Sequence, residues 1–500
     1  MHLPQLLDLA LGRDPSSVAV RWDSKSWTWA EEAARIERLA AGMARAGVQP
    51  GDRVLVQLEN VPLFLEATFA AAQLGAVLVP AHPGLAERER SALIERAQPR
   101  LVLDGDTSFE GMTADAGRAP APPDPDPERL AQLYFTSGTT GAPKGVMLTH
   151  GNLVSHALAA VQEFDLAPSD VWGHIAPMFH LADAWAVGAI TAAGGSHVFL
   201  PRFDGQQALD LIETSGVTLT NLVPTHLGRI LAACEAASDQ GQRTGPIQSL
   251  RLVLSGGAPI APATVSRVLR DLCGEYAQTY GMTETSPFLT VSLLAPEHRE
   301  LPPDEQLDLR CATGRPFRGV DLCIVNEAGQ PVPPDRQSVG EICVRGATIT
   351  PGYWKDPGTT AAAFVDGWLR TGDLATVDAR GFVRIVDRAK DMIITGGEKV
   401  YSIEVERALF EHPAVLEAAA YGVPSERWGE ELRAAVVLRP GTVAEPVELR
   451  SHLAERLTGY KVPKRVDVLG NLPKTPSGKV RKAGLRERAN NARPKPPEPA

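Results

Sequence analysis

The stretch Thr136-Ser137-Gly138-Thr139-Thr140-Gly141-Ala142-Pro143-Lys144-Gly145 packs hydroxyls, glycines and one lysine directly behind the apolar run Leu133-Tyr134-Phe135. Glycines let backbone N–H groups approach a polyphosphate closely, hydroxyls add donors, and Lys144 adds a mobile positive charge. The spacing is not that of a Walker A loop, because Pro143 stands five residues after Gly138, where a second glycine would be required. Pro143 also argues against a helix starting at the lysine. Val146-Met147-Leu148-Thr149-His150 reads as a strand, so the loop is expected to join two strands.

On either side the chain alternates between helical and strand patterns. Thr28-Trp29-Ala30-Glu31 has the form of a capping box opening an amphipathic helix that runs through Ala44. Residues 53–58 and 76–80 read as strands and 62–74 as a helix, and the rhythm recurs in residues 207–223 and 249–272. Strands separated by helices imply parallel sheets covered by helices, an α/β fold. Beyond a strand at 381–386, a boundary near Asp387-Arg388-Ala389-Lys390-Asp391 opens a smaller α+β module. Its expected elements are helices at 403–412 and 446–457 and strands at 415–422 and 434–438. Residues 104–127 and 236–246 read as loops, and the tail 490–500 as disordered. The domain division that follows is 1–387 and 388–489.

At 500 residues the chain exceeds one compact core. Its 44% apolar and 22% charged residues suit a soluble globular enzyme, and a formal net charge of −10 argues against nucleic acid as a partner. The basic segment 456–488 nevertheless suits an anionic ligand. Five scattered cysteines without a CxxC pair argue against a disulfide framework or a zinc site. No apolar stretch is long enough for a transmembrane segment, and the N-terminus lacks a signal-peptide pattern. A cytoplasmic location is expected, and a homodimer stays open.

Further motifs follow the loop in order along nearly the whole chain, at residues 177–180, 255–259, 280–285 and 371–373, at Arg388 and Lys390, and at residues 473–479. With the loop, they resemble the adenylate-forming superfamily, in particular its acyl-CoA synthetases. Pro177-Met178-Phe179-His180 resembles the motif beside the acyl pocket, with His180 as its gate. Ser255-Gly256-Gly257-Ala258-Pro259 resembles the turn along the adenine. Tyr280-Gly281-Met282-Thr283-Glu284-Thr285 resembles the next signature. Thr371-Gly372-Asp373 resembles the ribose motif, Arg388 and Lys390 match the hinge motif, and Pro473-Lys474-Thr475-Pro476-Ser477-Gly478-Lys479 matches the C-terminal motif.

The resemblance implies a large N-terminal domain of helix-covered sheets with a β-barrel-like part, and a small mobile α+β C-terminal domain. It further implies ATP, Mg²⁺ and CoA as cofactors and co-substrates, and a small-molecule carboxylic acid as substrate. ATP would lie against Thr136, Ser137, Gly138, Thr139, Thr140, Gly141, Lys144, Gly257, Ala258, Pro259, Tyr280, Gly281, Met282, Asp373 and Arg388. Thr283 would bond the α-phosphate, Glu284 and Thr139 would hold Mg²⁺, Lys479 would bridge carboxylate and α-phosphate, and Lys390 would be the pivot. Gly396, Gly397 and Glu398 would line the tunnel for the CoA thiol arm.

A carboxylate attacking an α-phosphate brings two anions together, so such a cationic surround makes chemical sense. The acyl pocket is expected at Trp185, Val223, Thr225, His226, Gly256 and Thr279, although Trp185 and Val223 serve equally well as core packing. With no acid placed to pair an α-ammonium, an aliphatic or aromatic acid fits better than an α-amino acid. Asp183 is expected to cap a helix at 184–193. An amine or a carrier-protein thiol as acceptor, and a non-catalytic adenylate binder, are the other readings left by the residues.

Overall fold

The computed structural model describes all residues except 106, 115–116, 137–142, 242–244, 475–479 and 492–500. The chain forms two compact units, Met1–Leu322 with Val344–Arg370, and Cys323–Cys343 with Thr371–Ala500.

The first unit contains a nine-stranded sheet. In spatial order its strands are Arg315–Pro316, Phe288–Val291, Tyr276–Gly281, Leu252–Ser255, Leu219–Leu222, Val171–His174, Ser196–Phe199, Val18–Trp22 and Lys25–Thr28. From Tyr276–Gly281 to Val18–Trp22 the strands are parallel, as the alternating helix–strand pattern requires. Crossover helices contribute Leu209, Ile212, Leu227, Ile230, Val265 and Val268 to the core against this sheet.

A second sheet holds Leu101–Leu103, Arg53–Val56, Val77–Pro80, Leu130–Thr136 and Lys144–Thr149. Its last two strands form an antiparallel hairpin whose final pair is Thr136 with Lys144, so the glycine-rich loop does join two strands. The helix Trp29–Arg45 starts at the capping box read from sequence. Thr28 N–H donates to Glu31 Oε2 at 2.7 Å, and Glu31 N–H to Thr28 Oγ1 at 3.3 Å.

In the second unit, Val415–Ser425 pairs along its length with Gly429–Leu438, which also pairs with Arg465–Val468. Helices Ser402–Phe410 and Pro446–Ala454 build one core through Val405, Leu409, Leu449 and Leu453. Helix Lys482–Asn491 builds a second against Ala419, Tyr421 and Val423 through Leu485 and Ala489. The basic segment of this unit is largely matched by acids of the same unit. Arg456 meets Glu411, Lys461 meets Glu404, Lys474 meets Glu417 and Lys482 meets Glu406.

Several local expectations are corrected. The segment 104–127 contains a short helix, Phe109–Thr113. Ser108 Oγ accepts from Gly111 N–H at 3.0 Å, and the buried Phe109 ring has the Arg35 guanidinium 3.8 Å from its centroid. Residues 236–239 extend the helix Pro224–Asp239 instead of opening a loop. The last helix reaches Asn491, and the rest of the expected tail lies outside the described residues. Asp183 is not a cap: the helix Leu181–Ala193 begins earlier, with His180 in the capping position and Asp183 fully buried in its first turn.

The five cysteines are free thiols, with Cys234, Cys273 and Cys343 buried. Among the described residues no helix is long and apolar enough to cross a membrane.

Candidate active site

Four neighbouring parallel strands of the nine-stranded sheet bring their carboxyl ends to one edge, the place where open α/β sheets bind ligands. Tyr276–Gly281 leads into residues 280–284, Leu252–Ser255 into 256–259, Leu219–Leu222 into 223–226, and Val171–His174 into 177–180. Motifs far apart in sequence converge through strand order alone.

Buried polar groups hold these turns. Asn60 donates to the carbonyls of His174 and Ala176 at 3.0 and 2.9 Å and accepts from Met178 N–H at 2.8 Å, which fixes the approach to His180. The half-buried His180 ring lies 4.5 Å from that of Phe179. Gly256 has no room for a side chain, since a Cβ there would come within 2.5 Å of Thr279 Oγ1. Thr279 donates to the Ser255 carbonyl at 3.1 Å. Gln278 donates to the Ala258 carbonyl at 2.9 Å while accepting from the Tyr276 hydroxyl at 2.6 Å, and so pins the exposed turn at 257–259. Asn60 and Gln278 belong to no motif read from the sequence.

Of the expected pocket residues, Trp185 is committed elsewhere. It is buried among Phe164, Trp172 and Phe288, with ring centroids 5.8, 5.0 and 5.0 Å away, and its indole N–H donates to the Ala182 carbonyl at 3.1 Å. Val223 is half-buried at the start of helix Pro224–Asp239, and Thr225 is exposed there. His226 stacks on Phe203 at 3.7 Å, and Arg229 lies 5.0 Å from the same ring. Burial, reinforced by Arg229, pushes the His226 imidazole down to about 4, so it is neutral at pH 7.

Glu284 occupies the short turn Thr283–Thr285 and is buried. Its Oε1 accepts from the Tyr353 hydroxyl at 2.9 Å, and its backbone carbonyl accepts from Thr350 N–H at 2.8 Å. Burial, then the Glu284 charge, pushes the Tyr353 phenol up, which keeps it a donor. Among the described residues no donor to Glu284 Oε2 is present. A single carboxylate with an oxygen to spare suits Mg²⁺, which takes its remaining ligands from water and substrate phosphates. Lys144 stands at the mouth of the loop hairpin, with its ammonium 5.4 Å from the Tyr353 ring centroid. Ser137, Gly138, Thr139, Thr140 and Gly141 lie outside the described residues, as does Lys479.

In the second unit, Asp373 and Arg388 face each other across Trp368–Val377 and Val383–Arg388, and form an ion pair at 3.0 Å with the aspartate buried. Lys390 follows on an exposed turn. Gly396 and Gly397 are the two central residues of a hairpin between Ile393–Thr395 and Glu398–Val400, both at positive φ (+62° and +85°). That is the geometry of a tight two-residue turn, which accounts for both glycines locally. Glu398 is exposed beside them.

The turns at 256–259 and 280–284 thus share one edge of a parallel sheet, and a separate unit carries an aspartate–arginine pair. Comparison with known proteins gives the class. Residues 7–354 match the family of AMP-binding enzymes, and residues 404–479 match the AMP-binding enzyme C-terminal domain. A feruloyl-CoA synthase from Amycolatopsis sp. is 38% identical over 95% of this chain and 96% of its own length. The crystal structure of ATP-bound MatB from Rhodopseudomonas palustris is 31% identical, with a TM-score of 0.86 over 98% of this chain and 99% of that one. The O-succinylbenzoate coenzyme A synthetase from Bacillus subtilis, in complex with ATP and magnesium ion, is 28% identical, with a TM-score of 0.83 over 97% and 99%.

The chain belongs to the AMP-binding enzyme family, the adenylate-forming superfamily. It is an AMP-forming acid–thiol ligase that activates a carboxylic acid with ATP and forms a CoA thioester.

Proposed function

We propose that the acid is an aromatic or aliphatic carboxylic acid without an α-ammonium, and that residues 280–284, 256–259 and the loop at 136–144 carry ATP at the edge of the nine-stranded sheet. The observation that carries this reading is the meeting of four parallel strand ends at one sheet edge, one of which leads directly into Glu284. Support for an uncharged acyl group comes from Val223, Thr225, neutral His226, Gly256 and Thr279, none of which supplies a charge to pair an ammonium. The similarity to a feruloyl-CoA synthase makes aromatic acids the first to test.

In this reading Tyr280 stacks on the adenine, and the turn at 257–259 lies along it. Asp373 accepts from the ribose hydroxyls, with Arg388 beside it. Thr283 bonds the α-phosphate, and Lys144 with the loop holds the phosphates that leave. Mg²⁺ at Glu284 and Thr139 would supply charge neutralisation when bound. Lys479 pairs the attacking carboxylate with the α-phosphate, and His180 closes the carboxylate end of the acyl pocket. Lys390 is the pivot between a body at 1–387 and a C-terminal domain at 388–489, and Gly396, Gly397 and Glu398 admit the thiol of CoA. The enzyme would work in the cytoplasm, where ATP and CoA are available.

The test is a pyrophosphate-release screen over carboxylic acids of varied length and aromaticity, with and without CoA. Release driven by aromatic or fatty acids, with the matching acyl-CoA formed, fits the proposal. Release driven only by α-amino acids would overturn it.

A further inference from the structure

Tyr353 belongs to no motif singled out in the sequence, yet it touches two of them. It sits in a strap, residues 347–354, laid against the strand that leaves the glycine-rich loop. Met147 N–H donates to the Gly352 carbonyl at 3.1 Å, Trp354 N–H to the Gly145 carbonyl at 2.7 Å, and Thr350 Oγ1 to the Met147 carbonyl at 2.6 Å. Val146 and Tyr353 face each other in an antiparallel bridge. The same strap holds the carboxylate turn, with Thr350 N–H donating to the Glu284 carbonyl at 2.8 Å and Ser286 Oγ to the Thr348 carbonyl at 2.7 Å. From this doubly anchored backbone the Tyr353 hydroxyl reaches Glu284 Oε1 at 2.9 Å, while its ring lies 5.4 Å from the Lys144 ammonium.

We infer that Tyr353 is a positioning residue for metal–nucleotide binding, its hydroxyl orienting the Glu284 carboxylate and its ring face seating the Lys144 ammonium. A donor on Oε1 fixes the carboxylate plane and leaves Oε2 to meet a cation. An aromatic face attracts an ammonium without neutralising it, so Lys144 keeps its charge for phosphate. The inference rests on the reading of Glu284 as the metal carboxylate and of Lys144 as a phosphate ligand.

The two functions of the side chain separate experimentally. ATP binding to the full-length chain is measured by calorimetry without a carboxylic acid, once with Mg²⁺ and once with EDTA, and the ratio of the two affinities is the metal-dependent gain. In Tyr353→Phe that gain should fall about tenfold, the lower end for loss of a residue that orients a metal ligand. Its metal-free affinity should be unchanged, because the ring remains under Lys144. Tyr353→Leu should in addition weaken metal-free binding about two- to fivefold, as for loss of a cation–π contact, and melting curves report whether this variant folds. Tyr353→Phe alone decides the hydroxyl's role if it does not.

An unchanged gain in Tyr353→Phe, or an equal fall with and without metal, would overturn the assignment. Glu284→Gln separates the two claims. If it abolishes the gain while Tyr353→Phe leaves it intact, the Tyr353 inference fails alone. If Glu284→Gln also keeps the full gain, the placement of the metal fails first, and the inference with it.

Discussion

Asp183 and Glu284 are both buried acids of the large unit, and they are treated in opposite ways. Asp183 Oδ2 meets His174 Nδ1 at 2.6 Å, and its Oδ1 accepts from the Trp172 indole at 3.3 Å. His174 continues to His197, Nε2 to Nδ1 at 3.0 Å, with the two rings stacked 8° from parallel. Burial pushes the Asp183 carboxyl up, and His174 partly offsets this. Both carboxylate oxygens of the aspartate have partners within the core. Glu284 has one side-chain donor among the described residues, stands at a strand's carboxyl end and keeps an oxygen for something else. The contrast teaches how to separate an acid that holds a fold from one left available to a ligand. Saturated hydrogen bonding marks the first, and an unfilled oxygen at a ligand-binding edge marks the second.

Substitutions can break this contrast. The largest effect is expected from Asp183→Ala, which strands the buried histidine pair. The His174 ring and the Trp172 indole both lose their partner, and each buried group left unsatisfied costs about 1–3 kcal/mol, so melting should shift steeply downward or folding be lost. An unchanged melting curve would mean that the network does not hold the fold.

Glu284→Gln should do the reverse. Acid-dependent pyrophosphate release should fall about a hundredfold, as when one preorganised electrostatic group is lost, while the melting curve stays in place. A thermal collapse would move Glu284 to the structural side. Tyr353→Phe comes next in size, a partial loss confined to the metal-dependent gain in ATP affinity.

The smallest effect sharpens the comparison. Glu32 is fully buried beside Glu66, with the Trp27 indole on Oε2 and no hydrogen-bond partner on Oε1 among the described residues. It has an unfilled oxygen, but it lies in helix Trp29–Arg45 and not at the strand ends. Burial, then Glu66, raises its pKa above the unfolded value. The folded state therefore binds this proton more tightly, and the associated stability is full at acid pH and lost as pH rises through the folded pKa. Glu32→Gln should remove that loss, raising the melting temperature by about 2 °C at pH 8 and less at pH 5. A gain that is equal at both pH values would show that the carboxylate does not titrate.

Much of this site is legible in the sequence because its motifs are contiguous and each is read by local chemistry. The hairpin around the glycine-rich loop follows from Pro143 and the strand expected at 146–150, which runs from Lys144 to Thr149 with His150 already in the next helix. The Thr28 capping box follows from two residues three apart. What escapes is either a boundary or a pairing across the chain. The helix that was to start after Asp183 starts at Leu181, and this boundary turns Asp183 and Trp185 into the core. Tyr353 meets Glu284 across 69 residues, and Asn60 meets Met178 across 118, separations at which no periodicity or spacing rule operates. Gln278 is hidden inside an otherwise ordinary buried strand, and only the Ala258 carbonyl it holds reveals its part.

The most direct test of the assigned chemistry is a product inventory from the purified chain with ATP, Mg²⁺, CoA and a carboxylic acid that supports turnover, resolved by mass and ion exchange. AMP, pyrophosphate and acyl-CoA should appear in equal amounts, and omission of CoA should leave enzyme-bound acyl-adenylate with pyrophosphate released once. ADP and inorganic phosphate as the nucleotide products, or thioester formed without AMP, would contradict it.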